Sequence, residues 1–239
     1  MIIILTNKNP PSIPTFIVSQ CVCFLRNSQL VIDWHNLAYS VLALRLGDNH
    51  FLVKLSKLYE RFFAIGAINF CVSNAFKSFL QTEFGLHNVE TLPDCPPSRF
   101  QPVNDKQTIL NGIKEIPSID LQNEALVVSA TSWTSDEDFS ILVDALTIYD
   151  QKNGGRPLCV VITGKGGLRD YYMEKIAKSK FKKIRVYSVW LSHEDYALLL
   201  GCADFGVSLH KSSSGLDLPM KIVDLFGAGT PVISLSFPA

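Results

Sequence analysis

The run Gly164-Lys165-Gly166-Gly167 stands between an apolar stretch, Leu158 to Thr163, and a stretch of helical spacing. Glycines at such a junction let the backbone come close to a phosphate. The start of a helix offers free N–H groups, and Lys165 adds a positive charge. An ordinary strand-to-helix turn has the same look, so the run alone leaves both readings open. A second group follows a later strand: His210-Lys211-Ser212-Ser213-Ser214-Gly215. Small residues with hydroxyls and exposed N–H groups, here Ser213, Ser214 and Gly215, can cradle an anion. His210 ends its strand and either lines a pocket or serves the structure. Lys221 and Asp224 are three residues apart and share a helix face. A lysine there can reach a phosphate, and the acid can accept both hydroxyls of a ribose. The same pair fits a surface ion pair on an amphipathic helix.

A third group, Asp33-Trp34-His35-Asn36, ends an early strand. The titration range of histidine suits proton transfer near neutral pH. Asp33, two residues before His35, can orient the ring or act as the base itself. The alternative is that Asp33 and His35 hold a loop together. Asp217 is a further carboxylate, close to the serine-rich loop.

These residues need elements to position them. Short apolar runs at Ile2–Leu5, Leu30–Ile32 and Phe70–Val72 read as strands, with helices after Ser12, over Tyr39–Leu46 and Val53–Ile65, and over Ala75–Phe84 behind a Ser73-Asn74 cap. Pro10, Pro11 and Pro14 are expected to form the turn that opens the first helix. Leu92 to Pro102 is too rich in proline for a regular element, and 101–124 reads as polar and irregular. Then strands at Leu126–Ser129, Leu158–Thr163, Ile184–Tyr187, Phe205–Leu209 and Pro231–Leu235 alternate with helices. The first of those helices is expected to be capped by Ser135 and to begin with Asp136-Glu137, acids that suit a positive helix start. The alternation implies an α/β class with parallel sheets covered on both faces. The expected division is a partial first lobe over 1–103, a linker over 104–124 and a second lobe over 125–239. Two such lobes make a cleft, and ligands of these sheets sit at the carboxyl ends of the strands.

The chain of 239 residues has 22 basic and 22 acidic side chains and no formal net charge. The basic excess that marks an electrostatic nucleic-acid binder is missing, so no nucleic acid is expected as a partner. Hydrophobic residues make up 47% of the chain, enough for a sizeable core. The mean hydropathy of +0.20 points either to a surface that meets lipid or a partner, or to a large core. The apolar run from Ile13 to Leu25 falls short of the ~20 residues that span a bilayer, and reads as a buried or interfacial helix. No basic region precedes the first apolar run, so no signal peptide is read. The six cysteines form no paired CxxC set and read as small buried hydrophobes in a reducing environment.

The pattern Pro219-x-Lys221-x-x-Asp224, followed by Gly229-x-Pro231-Val232, resembles the donor segment of the GT-B glycosyltransferases, in which the acid holds the nucleotide ribose. Gly164-Lys165-Gly166 lies upstream at a suitable distance. Asn7 to Thr15, Ile32 to Leu37, Ser132 to Phe139 and Ser212 to Lys221 resemble the chitobiosyldiphosphodolichol β-mannosyltransferase family, and together they span most of the chain. The resemblance implies GDP-mannose as donor, GlcNAc2-diphospho-dolichol as acceptor, a β-1,4 linkage and no metal or other cofactor. It also implies the cytosolic face of the endoplasmic reticulum membrane, with other glycosyltransferases of the same pathway as further partners. The donor is α-linked and the product β-linked, so one inverting displacement suffices. Such a displacement needs a base, for which His35 and Asp33 are the candidates. It also needs positive or dipolar groups for the departing diphosphate, for which Lys165, Lys221, Ser213, Ser214 and Gly215 are candidates. Asp217 lies one residue off the spacing of the paired glutamates of many retaining relatives, so that pair's role is not carried over to it. Members of the family begin earlier, with a membrane anchor, and continue beyond Leu235. The expectation is therefore a chain truncated at both ends. The alternative expectation is a non-catalytic truncated paralogue acting as an interaction subunit of a membrane glycosyltransferase complex.

Overall fold

A computed structural model of the chain describes residues 2–7, 12–134 and 137–238. The chain divides into two compact units. The first runs to Asp94 and takes in Ser212–Leu218 and residues 237 and 238; the second is Cys95–Lys211 with Pro219–Ser236.

The first unit is a parallel sheet of β1 (Ile2–Asn7), β2 (Gln29–Trp34), β3 (Ile68–Cys71) and β4 (Val89–Thr91), in that order. Four helices connect the strands: α1 (Ser12–Leu25), α2 (Ala38–Leu46), α3 (Phe51–Phe63) and α4 (Asn74–Glu83). Leu30, Ile32 and Trp34 project from β2 into one core. The Trp34 ring lies 5.6 Å from that of Phe16, 6.2 Å from Phe76 and 6.0 Å from Phe84, and its Nε1 donates to Asn69 Oδ1 at 3.1 Å. Side chains alternate along a strand, so fixing Trp34 in this core turns Asp33 and His35 the other way. Ser73 caps α4 as its type predicts, accepting from Phe76 N at 3.1 Å. The start of α2 is capped from a distance: the buried carboxylate of Glu60 on α3 accepts from Ala38 N at 2.9 Å and Tyr39 N at 3.1 Å.

The second unit holds α5 (Lys106–Gly112), β5 (Ala125–Ala130), α6 (Ser140–Gln151), β6 (Leu158–Thr163), α7 (Arg169–Ser179), β7 (Ile184–Val189), α8 (His193–Cys202), β8 (Phe205–Ser208), α9 (Met220–Gly227) and β9 (Val232–Ser234). The parallel sheet has the order β7-β6-β5-β8-β9, so the direction of winding reverses between β5 and β8. Alternation splits its residues between two cores. Leu126, Val128, Cys159 and Val161 face α5, α8 and α9, whereas Val127, Val160 and Ile162 face α6 and α7. All six residues of β6 are buried, which explains its unbroken apolar run.

Several expectations change. Residues 101–124 are not irregular: α5 lies there, and Leu110, Ile113, Ile116 and Ile119 enter the core of the second unit. Their spacing was hidden by polar neighbours. The strand β4 carries only three residues and had no apolar run to announce it. The helix after β5 begins at Ser140, not at residues 136–137, and Glu137 is buried rather than facing solvent at a helix start. Ser135 and Asp136 lie outside the described residues, as do Pro10 and Pro11. Ile13 and Pro14 depart from helical angles, so regular helix follows them. Cys23, Cys71, Cys159 and Cys202 are buried, but Cys21 and Cys95 are exposed.

Candidate functional site

In the second unit a pocket of about 270 Å³ opens at the carboxyl ends of the strands. Its wall is formed by Ala130, Thr131 and Ser132 after β5, Thr163 and Gly164 at the end of β6, and Trp190 to His193 after β7. Tyr196 of α8 and Lys221 of α9 complete it. It lies beside the reversal in strand order, where open α/β sheets bind their ligands.

The glycines of the 164–166 run have a specific task here. A Cβ on Gly164 would stand 1.7 Å from the carbonyl oxygen of Thr131, and one on Gly166 would stand 1.9 Å from that of Ser132. The two loops therefore touch backbone to backbone, and Leu168 N seals them by donating to Trp133 O at 3.0 Å. Gly167 meets nothing within 4 Å. Lys165 reaches over the Trp190 indole, with Nζ 4.3 Å from the ring centroid, so its charge is held at the pocket wall by a cation–π contact.

Lys221 projects from the first turn of α9 and bonds to Glu137. The Glu137 carboxylate also accepts from Thr131 Oγ1 and from Ser132 N at 3.1 Å. Lys221 is therefore half of an ion pair with a buried carboxylate rather than a free cation. The burial of Glu137 was not read from sequence, because it resembled a helix-start acid. Asp224, three residues on, is half-buried. Burial pushes its carboxyl above the usual range, against the lowering effect of the Arg99 guanidinium. Asp224 in turn helps raise the phenol of Tyr196, for which burial is the main cause. Lys221 and Tyr196 line the pocket, and Asp224 stands next to that wall. His210 lies in the same unit at the end of β8, and is not among the residues of the pocket wall.

Ser213, Ser214, Gly215 and Asp217 belong to the first unit. Ser212 Oγ accepts from Gly215 N at 2.7 Å and from Ser214 N at 3.3 Å, and donates to Asp217. Ser214 Oγ accepts from Leu216 N at 3.2 Å. Two of the N–H groups expected to cradle an anion, those of Ser214 and Gly215, are thus taken up by the loop's own hydroxyl. The loop is tied to the carboxyl end of the first sheet: Ser213 Oγ lies 3.0 Å from Ser40 Oγ, and Ser73 Oγ donates to Leu216 O at 2.8 Å. Leu216 and Leu218 pack on that unit's core.

His35 sits between two carboxylates of the same unit. Nε2 is 2.9 Å from Asp33 Oδ2, and Nδ1 is 3.2 Å from Asp94 Oδ2. A neutral imidazole has one N–H and donates to one of them; bonding both at once takes two ring protons. Asp94 was hidden in sequence by its place in the proline-rich stretch. Among the described residues, no group of three or more His, Cys, Asp or Glu is arranged to hold a metal ion.

No protein-family model matches the chain. Among curated proteins, it is 46% identical over 97% of its length to the chitobiosyldiphosphodolichol beta-mannosyltransferase of Candida albicans and covers 52% of that protein. It is 40% identical over 96% of its length to the human protein of that name, covering 57% of it. The Arabidopsis thaliana "UDP-glycosyltransferase TURAN" is 36% identical over 96% of the chain, which covers 60% of that protein. Among solved structures, the GtfA/B complex aligns with all of the chain and 42% of its own, with a TM-score of 0.66 and 16% identity. At that identity the likeness shows the fold, the GT-B type built from two Rossmann-like units. The chain spans little more than half the length of the curated relatives it matches, and over nearly all of its own length it is similar to proteins named chitobiosyldiphosphodolichol beta-mannosyltransferase.

Proposed function

We propose that the chain is part of an inverting mannosyltransferase that moves mannose from GDP-mannose to GlcNAc2-diphospho-dolichol, forming a β-1,4 bond during assembly of the lipid-linked oligosaccharide for protein N-glycosylation. The observation that carries this reading is the pocket at the strand ends of the second unit, in a chain 46% identical to a relative of that name. The second unit takes the nucleotide sugar. Asp224 accepts the ribose hydroxyls, while Lys221 with Glu137, and Lys165 on Trp190, set the charge facing the diphosphate. No metal is required in this reading, because the leaving group is met by side-chain and backbone donors. Ser213, Ser214, Gly215 and Asp217 act as a preformed loop, opening their own hydrogen bonds to the donor or supporting the acceptor side.

The first unit takes the acceptor. The hydroxyl proton passes to the Asp33, His35 and Asp94 group, where His35 turns one nitrogen to the substrate and keeps a carboxylate on the other. The acceptor's lipid places the enzyme at a membrane, in this reading the cytosolic face of the endoplasmic reticulum, beside other glycosyltransferases of the pathway.

Calorimetric titration of this chain with GDP, GDP-mannose, UDP and UDP-glucose, without added metal, tests the donor half. Guanine-selective binding that is lost in Asp224→Ala is expected. Preference for the uridine nucleotides would replace the donor assignment, in line with the name of the Arabidopsis relative. A folded chain that binds none of the four would sink the donor site.

A further inference from the structure

The chain has three tryptophans, and two of them, Trp34 and Trp133, are fully buried. Trp190 is 58% exposed, just after β7 in the wall of the pocket of the second unit. An indole is mostly apolar area, and leaving it in water forgoes the stabilisation that burial gives. The next residue, Leu191, does enter the core of that unit. The Trp190 ring is met by Lys165, whose Nζ lies 4.3 Å from its centroid. At an exposed site such a contact is worth about two- to fivefold in population, little enough for a ligand to undo.

The strand order sets what the pocket presents from end to end. Trp190 follows β7, the edge strand, while Lys221 stands on α9 after β8, with β6 and β5 between them. Lys165 comes from the loop after β6, the one strand that pairs with β7, so it reaches the indole from the side of the pocket. The wall thus carries a flat aromatic face at one end and the Lys221–Glu137 pair at the other. A molecule with a planar ring at one end and an anionic group further along matches that order, and a nucleoside diphosphate is such a molecule. Lys165 cannot serve both ends from its place on the ring. There it covers a face on which a base stacks, and its charge is spent on the indole.

We propose that Trp190 is the stacking platform for the base of the donor nucleotide, and that the base takes the indole face covered by Lys165 and releases that ammonium to the diphosphate. This rests on the reading of the pocket as a nucleotide-sugar site. Base recognition and delivery of charge are then one event, and a diphosphate without a base finds Lys165 still held on the ring. The test is acrylamide quenching and calorimetric titration of this chain with GDP. Trp34 and Trp133 are buried, so quenching of the tryptophan fluorescence reports Trp190. Saturating GDP should shield most of it. Trp190→Leu should weaken GDP binding roughly 10- to 100-fold, whereas Trp190→Phe, which keeps a ring face, should weaken it no more than about fivefold. Lys165→Met should weaken it about tenfold. Each single variant is spared the breaking of the cation–π contact. Trp190→Leu with Lys165→Met should therefore lose about two- to fivefold more than the product of the two single losses. Both positions are exposed, so all the variants should keep the circular dichroism of the parent chain.

If calorimetry shows GDP bound while acrylamide still reaches Trp190, the platform is overturned and the donor site stands. The same holds if Trp190→Leu binds GDP like the parent. A double loss equal to the product of the single losses would overturn the release of Lys165. Absence of GDP binding by the folded parent would overturn this inference together with the donor reading on which it rests.

Discussion

The ammonium of Lys221 on α9 is bonded to the carboxylate of Glu137, a side chain only 2% exposed that lies 84 residues earlier in the chain. The same carboxylate holds Thr131 Oγ1 and Ser132 N, so it fastens the loop after β5 to the start of α9. Removing Lys221 leaves the buried Glu137 carboxylate without its match, whereas removing Glu137 leaves an ammonium that solvent reaches. Lys221→Met is expected to destabilise the chain by about 3–5 kcal/mol, and Glu137→Gln by less. Glu137→Gln with Lys221→Met should recover part of that loss. Urea unfolding of the two single variants and the double variant measures the coupling. Independent, additive effects would show that the pair does not act as a unit.

The contact between the loops after β5 and β6 separates three neighbouring glycines. A Cβ at Gly164 or Gly166 would collide with the carbonyl of Thr131 or Ser132, and neither backbone can yield without moving the pocket wall. Gly164→Ala and Gly166→Ala should each cost about 1–3 kcal/mol and weaken nucleotide binding. Gly167→Ala, with nothing near its new methyl group, should fall within about 0.5 kcal/mol of the parent. Thermal unfolding of the three variants checks the ranking. A Gly167 variant as damaged as the others would refute the close-approach account.

His35 bonds Asp33 through one nitrogen and Asp94 through the other. If it transfers the acceptor's proton, His35→Ala in a protein of the relatives' full length should leave GDP binding unchanged and lower turnover by about 10²–10⁴. Asp94→Asn should lower turnover less and alter the pH profile, because one bond to the ring changes character. A His35→Ala enzyme with full turnover would return these residues to a purely structural role.

The legible parts of this chain were those set by local pattern. The alternating strands and helices of the second unit, the Ser73 cap and the glycine turn follow from side-chain period, hydroxyl capping and backbone freedom, all local properties. What was hidden depends on distant partners. Glu137 resembled a helix-start acid until Lys221 reached it from α9, and nothing near Glu60 in sequence shows that α2 uses it as a cap. The hydroxyls of Ser212 and Ser214 looked free for a ligand, because nothing in their spacing reveals that they bond their own loop. Helix α3 was predicted correctly as a helix, but its outward apolar stripe was not, since periodicity gives a face and not the side on which the core lies.

Asp224 carries a carboxyl whose affinity for its proton is raised, first by burial, with Arg99 opposing. The sign of the pH effect follows. When the folded pKa exceeds the unfolded one, the folded state holds more protons between the two values, so stability falls as pH rises through that window. The favourable contribution is fully present below the ordinary carboxylate pKa of 3.8 and is lost once pH passes the raised folded value. At neutral pH the ionised Asp224 therefore burdens the fold, and Asp224→Asn should unfold at a higher temperature than the parent. The difference should shrink as pH falls toward the unfolded pKa. The same substitution should weaken GDP binding by roughly 10- to 100-fold, the loss of charge-assisted bonds to a ribose. Thermal scans from acid to neutral pH, paired with titration, test both halves. A variant that is less stable than the parent at neutral pH would contradict the burial account. One that gains stability yet binds GDP normally would remove Asp224 from the nucleotide site.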